Sequence, residues 1–433
     1  MSLYAFIDQE PRRKKIHPHY LTLLFEKLGG GLLQPATPGT HPGMVYPVHL
    51  GSPYRLSRDE SPNSKSGGIF IYDHLDREAL AAIIDNGGYL LIDHIVESYF
   101  GRRDMVERLH DGIAEARLDP KRVVLLNGNM ISDRRYNSIC NELGIDQRAE
   151  VIPYNGCFWL VNAHNQARGD DAHDIAARAR RAHAALDAEK ARKFVSFNGK
   201  GRPHRTYVVL RMIKDGYAND GFVSLLGHEA DESPSIDKVA AQIRNFPGAE
   251  DLRQAIPGFV DSLPLTVDVS REKSRENMAL KFVLPWASPD PEFYDKTHFS
   301  VVLDTSFSDE GTLFQTPIAY KSFMNFSPFV YFGNRGGLSC LRDLGFESFA
   351  PFINEGYDDI EDDNQRLLAA YGEFERLVNL SHAQLNEGVR SIWPKLVHNF
   401  NLIHRPGVDA FIEDWNARVS NRLPEVPKLK STV

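Results

Sequence analysis

The sequence has few cysteines, no long apolar run and no excess of positive charge. Cys140, Cys157 and Cys340 are far apart and form no Cys-x-x-Cys motif, which argues against a disulfide framework and a zinc ribbon. No segment approaches the roughly 20 apolar residues that a bilayer span needs. The net charge of −8 argues against a broad nucleic-acid-binding surface. Because the N-terminal residues also lack the apolar core of a signal peptide, we expect a cytoplasmic protein.

Motifs of several enzyme classes are missing as well. The sequence contains no Walker loop, dinucleotide-binding glycine fingerprint, serine elbow or kinase signature. His17, His19, His41 and His49 lack the i, i+4 helical spacing and the carboxylate partner of a zinc site. We therefore expect no metal site and no obligatory cofactor.

Apolar strands alternate with amphipathic helices along most of the chain. Strands are predicted at residues 68–72, 88–93, 122–126, 150–154, 194–197, 222–226, 299–304 and 328–332. Such alternation is typical of parallel sheets with right-handed crossovers. The predicted fold class is α/β, with two Rossmann-like doubly wound domains that face each other across a cleft and with closing helices near the C-terminus.

The same pattern predicts the domain boundaries. The first domain covers residues 1–190 and begins with a loop-rich entry over residues 1–66, apart from a helix near 20–28. The second covers 191–405 and contains an insertion of short helices and loops at about 227–296. Residues 406–433 are predicted to be a C-terminal tail.

The segment KFVSFNGKGRPHRTYVVL, residues 193–210, carries the strongest functional pattern. An apolar strand enters a glycine-broken basic loop, and Pro203 suits the first turn of the helix that follows. The amides of a helix start, together with nearby cations, bind phosphate through charge-assisted hydrogen bonds. The alternative is a solvated basic turn, since runs of charge usually lie at the surface. The predicted phosphate or diphosphate ligands are Asn198, Lys200, Arg202, His204 and Arg205.

A histidine beside carboxylates follows the predicted strand at 88–93. In the run Asp93-His94, with Glu97 about one helical turn further on, His94 has the residue types of a general base oriented by a carboxylate. A capping aspartate and a surface glutamate explain the same run. Asn127-Gly128-Asn129, after the next strand, is a turn that can present Asn127 and Asn129 to an acceptor sugar, although a plain turn explains it too.

Polar side chains also follow the predicted strand at 299–304. Asp304 and Glu310 have the carboxylates that accept ribose or sugar hydroxyls, but helix capping explains them nearly as well. Lys321 supplies a further cation after this strand.

These motifs resemble a known family. The run FNGKGRPHR and the run LDTSFSDEGTLFQTPIAYKSFMNFSPFVYFGNRGGLSCLRDLGFESF are similar to the donor half of nucleotide-sugar-dependent glycosyltransferases of the GT-B kind. Within that class the chain resembles exostosin-like and phage-encoded, DNA-modifying members. The N-terminal runs LLIDHIVESYF, VVLLNGN and VIPYN are similar to phage and bacterial members.

The resemblance implies an activity and a division of labour. A hexosyl or pentosyl group would move from a nucleoside-diphosphate sugar, foremost a UDP-sugar, to an acceptor hydroxyl. Residues 1–190 would form the acceptor side and 191–405 the donor side. Lys200, Arg202, Arg205 and Lys321 would hold the diphosphate. The host would be a bacterium or a phage-infected cell.

One position departs from the family pattern. Relatives carry Thr-Glu-Lys at the start of the second donor helix, whereas this chain reads Thr316-Pro317-Ile318. The glutamate that is thought to bind donor hydroxyls is therefore missing, while Thr316 remains in the predicted donor site. Either Asp304 or Glu310 replaces it, or the donor differs, or catalysis is weakened.

The acceptor stays open at the level of sequence. The phage-like resemblance implies a hydroxymethylated pyrimidine in DNA, with local basic clusters at residues 12–15, 102–103 and 134–135 available for phosphates. A glycan or a lipid-linked sugar fits the acidic balance equally well. A non-catalytic nucleotide-binding or interaction protein of the same fold is the alternative from another functional class.

Overall fold

The computed structural model divides the chain into two units. The first comprises Met1–Arg168, Glu310–Gln315 and Arg405–Val433, and the second comprises Gly169–Asp309 and Thr316–His404. The structure describes residues 2–7, 20–28, 31–49, 54–55, 69–70, 75–96, 100–167, 172–199, 201–225, 235–267, 291–308, 311–313, 317–404 and 407–430.

The first unit contains a parallel sheet of six strands in the order β2-β1-β3-β6-β7-β8. These strands are β1 (Leu3–Ala5), β2 (Leu33–Pro35), β3 (Val45–His49), β6 (Tyr89–His94), β7 (Val123–Asn127) and β8 (Glu150–Pro153). A separate parallel pair is formed by β4 (Tyr54–Arg55) and β5 (Ile69–Phe70).

The N-terminal part of this sheet corrects the sequence-based prediction. The region predicted to be a loop-rich entry provides β1, β2 and β3. The strand predicted at 68–72 lies outside the main sheet, where Ile69–Phe70 pairs with β4. Strand β1 has only three residues, and β2 and β3 contain Pro35 and Pro47, which argue against a strand in the sequence. Tertiary pairing places all three in the sheet.

Within the described residues, the α-helices of the first unit are α1 (Tyr20–Leu28), α2 (Arg77–Asp85), α3 (Arg103–Glu115), α4 (Ser132–Leu143), α5 (Gly156–Ala167) and, last in chain order, α17 (Val408–Trp415). The predicted tail at 406–433 therefore includes α17, which is part of the core. Trp415 is fully buried and its ring packs edge-on against Phe25 at 5.0 Å and Tyr154 at 5.8 Å. Burial of large aromatic rings is a major source of stability, so this segment helps to hold the first unit together.

The second unit contains a parallel sheet of four strands in the order β10-β9-β11-β12. The strands are β9 (Phe194–Asn198), β10 (Gly221–Leu225), β11 (Phe299–Leu303) and β12 (Phe329–Phe332). The helices are α6 (Ala172–Ala184), α7 (Pro203–Lys214), α8 (Ile236–Ile243), α9 (Ala249–Leu252), α10 (Ile256–Ser262), α11 (Pro291–Asp295), α12 (Pro317–Phe323), α13 (Gly337–Asp343), α14 (Asp363–Val378), α15 (His382–Ser391) and α16 (Trp393–His404). The predicted α/β class with two Rossmann-like units is confirmed, while the cleft between them stays a prediction.

Two other predictions concern the limits of the second unit. The region predicted as an insertion, 227–296, holds the short helices α8 to α11 within its described parts. Helix α6, which the prediction placed in the first domain, belongs to the second unit. Its Arg178 donates to the carbonyl oxygen of Met324 at 3.2 Å and stacks over the Phe400 ring at 4.9 Å.

The second sheet changes its direction of winding at β9. The chain goes from β9 to the edge strand β10 and then returns to β11 on the other side of β9. Such a switch point opens a crevice at the carboxyl ends of the two strands, where α/β proteins bind ligands. Within these described strands, β10 pairs with β9 over all five residues, whereas β11 pairs with it only through Phe299 and Ser300. Strands β9 and β11 therefore diverge toward their C-terminal residues, Asn198 and Leu303.

Candidate functional site

The candidate site of the second unit lies where β9 ends and α7 begins. Four residues separate Asn198, the last residue of β9, from Pro203, the first residue of α7. Arg202 occupies the N-cap position in an extended conformation, and its side chain makes no capping hydrogen bond. The first-turn amides of α7 thus carry the partial positive charge of a helix start without a side-chain cap. Lys200 lies outside the described residues.

Asn198 brings a hydrogen-bond acceptor to this crevice. Its side chain is 1% exposed, and its Nδ2 atom donates to Ser196 Oγ at 3.1 Å. Its main-chain N–H donates to Ser224 Oγ at 3.2 Å. The Oδ1 atom is buried and has no hydrogen-bond partner among the described residues. An unpaired buried carbonyl oxygen costs roughly 1 to 3 kcal/mol, which a ligand that donates a hydrogen would recover.

Arg205 is buried and joins α7 to the end of β11. Its Nε atom donates to the carbonyl oxygens of Leu303 at 3.0 Å and Asp304 at 3.2 Å, and another guanidinium nitrogen donates to Thr305 Oγ1 at 3.4 Å. Burial lowers the pKa of Arg205 to about 10, with the Asp304 carboxylate acting in the opposite direction. Arg205 therefore stays charged at neutral pH and adds positive potential to the crevice.

His204 does not act as a cation. Its Nε2 atom donates to the Asp304 carbonyl oxygen at 2.8 Å, and its ring stacks on Phe307 at 5.3 Å. Burial, reinforced by the charges of Arg205 and Arg202, lowers the pKa of His204 to about 3. The predicted role of His204 as a positive phosphate ligand is corrected on this point: the imidazole is neutral at physiological pH and holds the segment after β11.

Asp304 is fully buried at the end of β11. Its Oδ1 atom accepts from the Thr305 N–H at 2.6 Å, and its Oδ2 atom accepts from the Tyr331 hydroxyl at 2.7 Å. Burial and this carboxylate raise the pKa of Tyr331 well above its ordinary value. Sequence reasoning missed Tyr331, because a tyrosine inside an apolar strand has the pattern of a core residue.

The remaining donor predictions have different outcomes. Lys321 is half-buried in the last turn of α12, and its main-chain oxygen accepts from Asn325 Nδ2 at 2.8 Å. Glu310 and Thr316 lie outside the described residues.

The helix start that follows the glycine turn after β12 already binds a carboxylate of the protein. The Asp358 carboxylate accepts from the N–H groups of Leu338 at 3.1 Å and Ser339 at 3.0 Å, at the start of α13. Asp358 was not predicted, because it is some 20 residues away in sequence. Of these two helix starts, that of α13 holds a carboxylate, whereas that of α7 has no side-chain cap.

In the first unit, hydrogen bonds fix the chemistry of His94. The Asn127 Oδ1 atom accepts from the Asn129 N–H at 2.9 Å, which orients the Asn127 amide. Its Nδ2 atom then donates to His94 Nδ1 at 2.7 Å. With Nδ1 as an acceptor, the neutral imidazole carries its proton on Nε2. His94 is therefore set up as a donor through Nε2 rather than as a base.

Asp93 and Asn129 are both engaged by the protein. Asp93 is adjacent to His94 in a strand, so the two side chains point to opposite faces of the sheet. The Asp93 carboxylate accepts from the Leu21 N–H at 2.8 Å and from the Ile95 N–H at 3.3 Å. The predicted orientation of His94 by Asp93 therefore does not occur. Glu97, the other predicted partner, lies outside the described residues.

Asn129 makes four side-chain hydrogen bonds. Its Nδ2 atom donates to the carbonyl oxygens of Phe100 and Gly311, at 3.0 and 2.9 Å, and its Oδ1 atom accepts from the N–H groups of Ile131 and Leu313, at 3.2 and 2.8 Å. Both amide hydrogens and both lone pairs are used, so Asn129 anchors residues 311–313 and is not available to an acceptor.

Comparison with known proteins adds distant structural neighbours. No protein-family model matches the chain, and no curated protein matches it. It is similar to the N-terminal domain of a trehalose-6-phosphate phosphatase from Candida albicans, with 10% identity, 87% of this chain and 72% of that chain covered, and a TM-score of 0.38.

Two further neighbours come from Burkholderia. An α,α-trehalose 6-phosphate synthase from Burkholderia multivorans has 15% identity, with 87% of this chain and 70% of that chain covered and a TM-score of 0.38. A UDP-forming α,α-trehalose-phosphate synthase from Burkholderia vietnamiensis has 12% identity, with 96% and 100% covered and a TM-score of 0.37. None of the three is an exostosin-like or a phage protein. Structural similarity at this level gives no evidence about activity.

Among the described residues, no helix is both long and apolar enough to cross a membrane.

Proposed function

We propose that this protein is a glycosyltransferase that takes its sugar from a nucleoside-diphosphate sugar, foremost a UDP-sugar, bound where β9 and β11 part. One observation carries the proposal: the uncapped start of α7 lies four residues from the unpaired Oδ1 atom of Asn198. Amide donors at a helix start suit phosphate oxygens, and an unpaired carbonyl oxygen suits a hydroxyl hydrogen. A nucleoside-diphosphate sugar contains both groups.

The charges near this crevice support the same ligand. Arg202 is partly exposed at the start of α7, and the buried Arg205 keeps its charge within the same turn. In the proposal, these cations and the helix start stabilise the diphosphate as it leaves, so the transfer needs no metal ion. Lys200 and Lys321 complete the proposed donor set.

The acceptor hydroxyl belongs, in this proposal, to a modified base in DNA or to a glycan. In the first unit, His94 Nε2–H is the candidate donor to an acceptor oxygen, positioned by Asn127. A steep decrease of binding with salt on hydroxymethylated duplex DNA would favour the DNA acceptor. Binding to a glycan that salt does not weaken would favour the other acceptor.

A second candidate is a nucleotide-binding protein without transfer activity. The orientation of His94 favours it, because an imidazole whose Nδ1 accepts from Asn127 has its proton on Nε2 and cannot remove a proton there. The missing glutamate at Pro317 agrees with it.

Calorimetric titration tests the proposal on the full chain. UDP, GDP, UDP-glucose and inorganic phosphate are titrated in separate experiments. We expect a nucleoside diphosphate and its sugar to bind more tightly than phosphate, because they reach both the amides and Asn198. If none of the nucleotides binds, the donor site is wrong.

Release of UDP or GDP from the sugar then separates the two candidates. Slow hydrolysis of a bound nucleotide sugar supports the transferase. Binding without any hydrolysis, in the presence of candidate acceptors, supports the nucleotide-binding protein.

A further inference from the structure

A second polar pocket lies at the opposite edge of the same sheet. Its walls come from the residues that precede β9, β11 and β12 and from α6, α15 and α16, all within the second unit. The volume open to water-sized molecules is about 30 Å³, which exceeds the roughly 10 to 15 Å³ that one water molecule needs. Trp393, Phe326 and Tyr294 form its apolar walls, and Lys190 and His298 bring nitrogen atoms to it.

Lys190 is a buried cation in this pocket. Its side chain is 7% exposed, and its Nζ atom donates one hydrogen to the carbonyl oxygen of Asp295 at 2.6 Å. An ammonium group has three hydrogens to donate. Within the described chain, no carboxylate lies within 4.0 Å of Nζ, and the Asp295 side chain is exposed. Burial lowers the pKa of Lys190, while the charge of Asp295 acts in the opposite direction.

His298 lines the same pocket and has an unpaired ring nitrogen. It is 4% exposed, and its Nε2 atom lies 2.8 Å from Nδ1 of His382. Its Nδ1 atom is buried and has no hydrogen-bond partner among the described residues. Burial, followed by the charges of His382 and Lys190, lowers the pKa of His298 to about 3, so the ring is neutral. Lys190 and His298 both line this pocket.

We propose that this pocket binds a small monovalent anion, either a halide or the carboxylate group of a small acid such as formate, between Lys190 Nζ and His298 Nδ1. In the bound state His382 donates from Nδ1 to His298 Nε2, so that the proton of His298 is on Nδ1 and points at the anion. The anion compensates the Lys190 charge and pairs the buried nitrogen. This site is independent of the donor site, which lies at the carboxyl ends of the strands.

A trapped water molecule would occupy the same space but would not distinguish among salts. A side-chain hydrogen bond with Asn386 raises the pKa of His298, but this contact is longer than an ordinary hydrogen bond, because Asn386 Oδ1 and His298 Nδ1 both lack a partner at hydrogen-bond distance among the described residues. Asn386 does not line the pocket. Pairing of His298 with Asn386 would likewise give no dependence on the anion.

Thermal unfolding of the full chain tests the proposal. Sodium gluconate, whose anion is too large for the pocket, is replaced at constant ionic strength by sodium chloride or sodium formate. We expect the favoured small anion to raise the melting temperature by about 2 °C, because it binds the native state alone. A response to chloride identifies a halide site, and a response to formate alone identifies a carboxylate site.

The Lys190→Met variant should lose this response. Lys395→Met is the matched control, because Lys395 also donates from Nζ to a main-chain oxygen, that of Ala350, at 2.6 Å but lies outside the pocket. Equal melting temperatures in all three salts, or an unchanged response in Lys190→Met, would overturn the proposal.

Should Lys190→Met not fold, crystals of the unmodified protein grown with bromide decide the question. An anomalous scattering peak between Lys190 and His298 supports the site. The absence of a peak there, with chloride and formate both without thermal effect, refutes it.

Discussion

The Nε atom of Arg205 donates to the main-chain oxygen of Asp304 at 3.2 Å, which ties the first turn of α7 to the end of β11. The same carbonyl oxygen accepts from His204 Nε2 at 2.8 Å. Two consecutive residues of one helix thus hold the far side of the crevice in which we place the donor. They shape the site, and of the described residues at this end of β9 and α7, Arg202 and Asn198 are the ones whose side chains we propose to contact the ligand directly.

Replacing Arg202 with alanine should weaken the binding of every phosphate-containing ligand. A charged hydrogen bond to phosphate contributes about 1.5 kcal/mol at a partly exposed position, so we expect about a tenfold loss of affinity. Calorimetric titration of UDP measures it. Arg192→Ala is the control, because Arg192 lies just before the other end of β9. Equal losses in both variants would assign the effect to net charge alone.

Replacing Asn198 with alanine should act on the sugar nucleotide but not on phosphate. The Oδ1 atom accepts hydrogen bonds and therefore favours a ligand with hydroxyl groups. Inorganic phosphate gains little from it, because phosphate oxygens mostly accept hydrogen bonds as well. We expect the affinity for a nucleotide sugar to fall by up to about tenfold while that for phosphate is unchanged. A parallel loss for both ligands would show that Asn198 only shapes the loop.

Replacing Arg205 with alanine should destabilise the fold, and not simply weaken binding. The change removes the charge nearest the buried Asp304 carboxylate. It also removes one donor from the Asp304 carbonyl oxygen and a donor from the Leu303 carbonyl oxygen. Leaving buried acceptors without their charged donor costs about 1 to 3 kcal/mol. Urea unfolding measures the loss. Arg244→Ala, at an exposed position, should change stability by less than about 0.5 kcal/mol. A native-like stability of Arg205→Ala would contradict the structural role.

The stability of the folded protein should decrease as the pH is lowered, because folding opposes the protonation of His204. Its pKa is 6.5 in the unfolded chain and about 3 in the folded one, so between these values the unfolded state binds a proton that the native state does not. The contribution is complete above pH 6.5 and is lost as the pH falls toward 3. By pH 5 the loss amounts to about 2 kcal/mol.

The His204→Gln variant isolates this effect, because glutamine can still donate to the Asp304 oxygen. Urea unfolding at pH 7 and pH 5 should give a smaller loss of stability for the variant than for the unmodified chain. His298, whose pKa is also lowered to about 3, supplies a similar slope in both proteins. An identical loss in the two proteins would show that His204 can take up a proton in the folded state.

Replacing Asn127 with aspartate should reverse the tautomer of His94. In the unmodified chain Asn127 Nδ2 donates to His94 Nδ1. A carboxylate there would accept a hydrogen bond from Nδ1–H, which leaves Nε2 without a proton. Nitrogen-15 shifts of the imidazole, read by NMR, distinguish the two forms. If transfer activity is present and needs a base at Nε2, this variant should raise it. Unchanged ring-nitrogen shifts would contradict the geometry around His94.

The alternation of apolar strands and helices was enough to predict the α/β class, because each such strand must be covered on both faces by helices. The pattern also located α7, since Pro203 and the apolar run after it define a helix start in local chemistry. Strands β1, β2 and β3 were not predictable, because β1 has only three residues and β2 and β3 contain proline, so that pairing with neighbours decides their conformation.

In the candidate site, too, local sequence determined some features and tertiary structure determined others. Sequence alone placed Asn198, Arg202 and Arg205 at the end of one strand and the start of one helix, since these are neighbours along the chain. The tertiary structure decided that His204 is buried and neutral, that Asp304 faces Tyr331, and that Asp358 fills the start of α13. These properties result from desolvation and from hydrogen bonds between residues 20 to 100 positions apart in the chain. A pattern of neighbouring residues therefore cannot predict them.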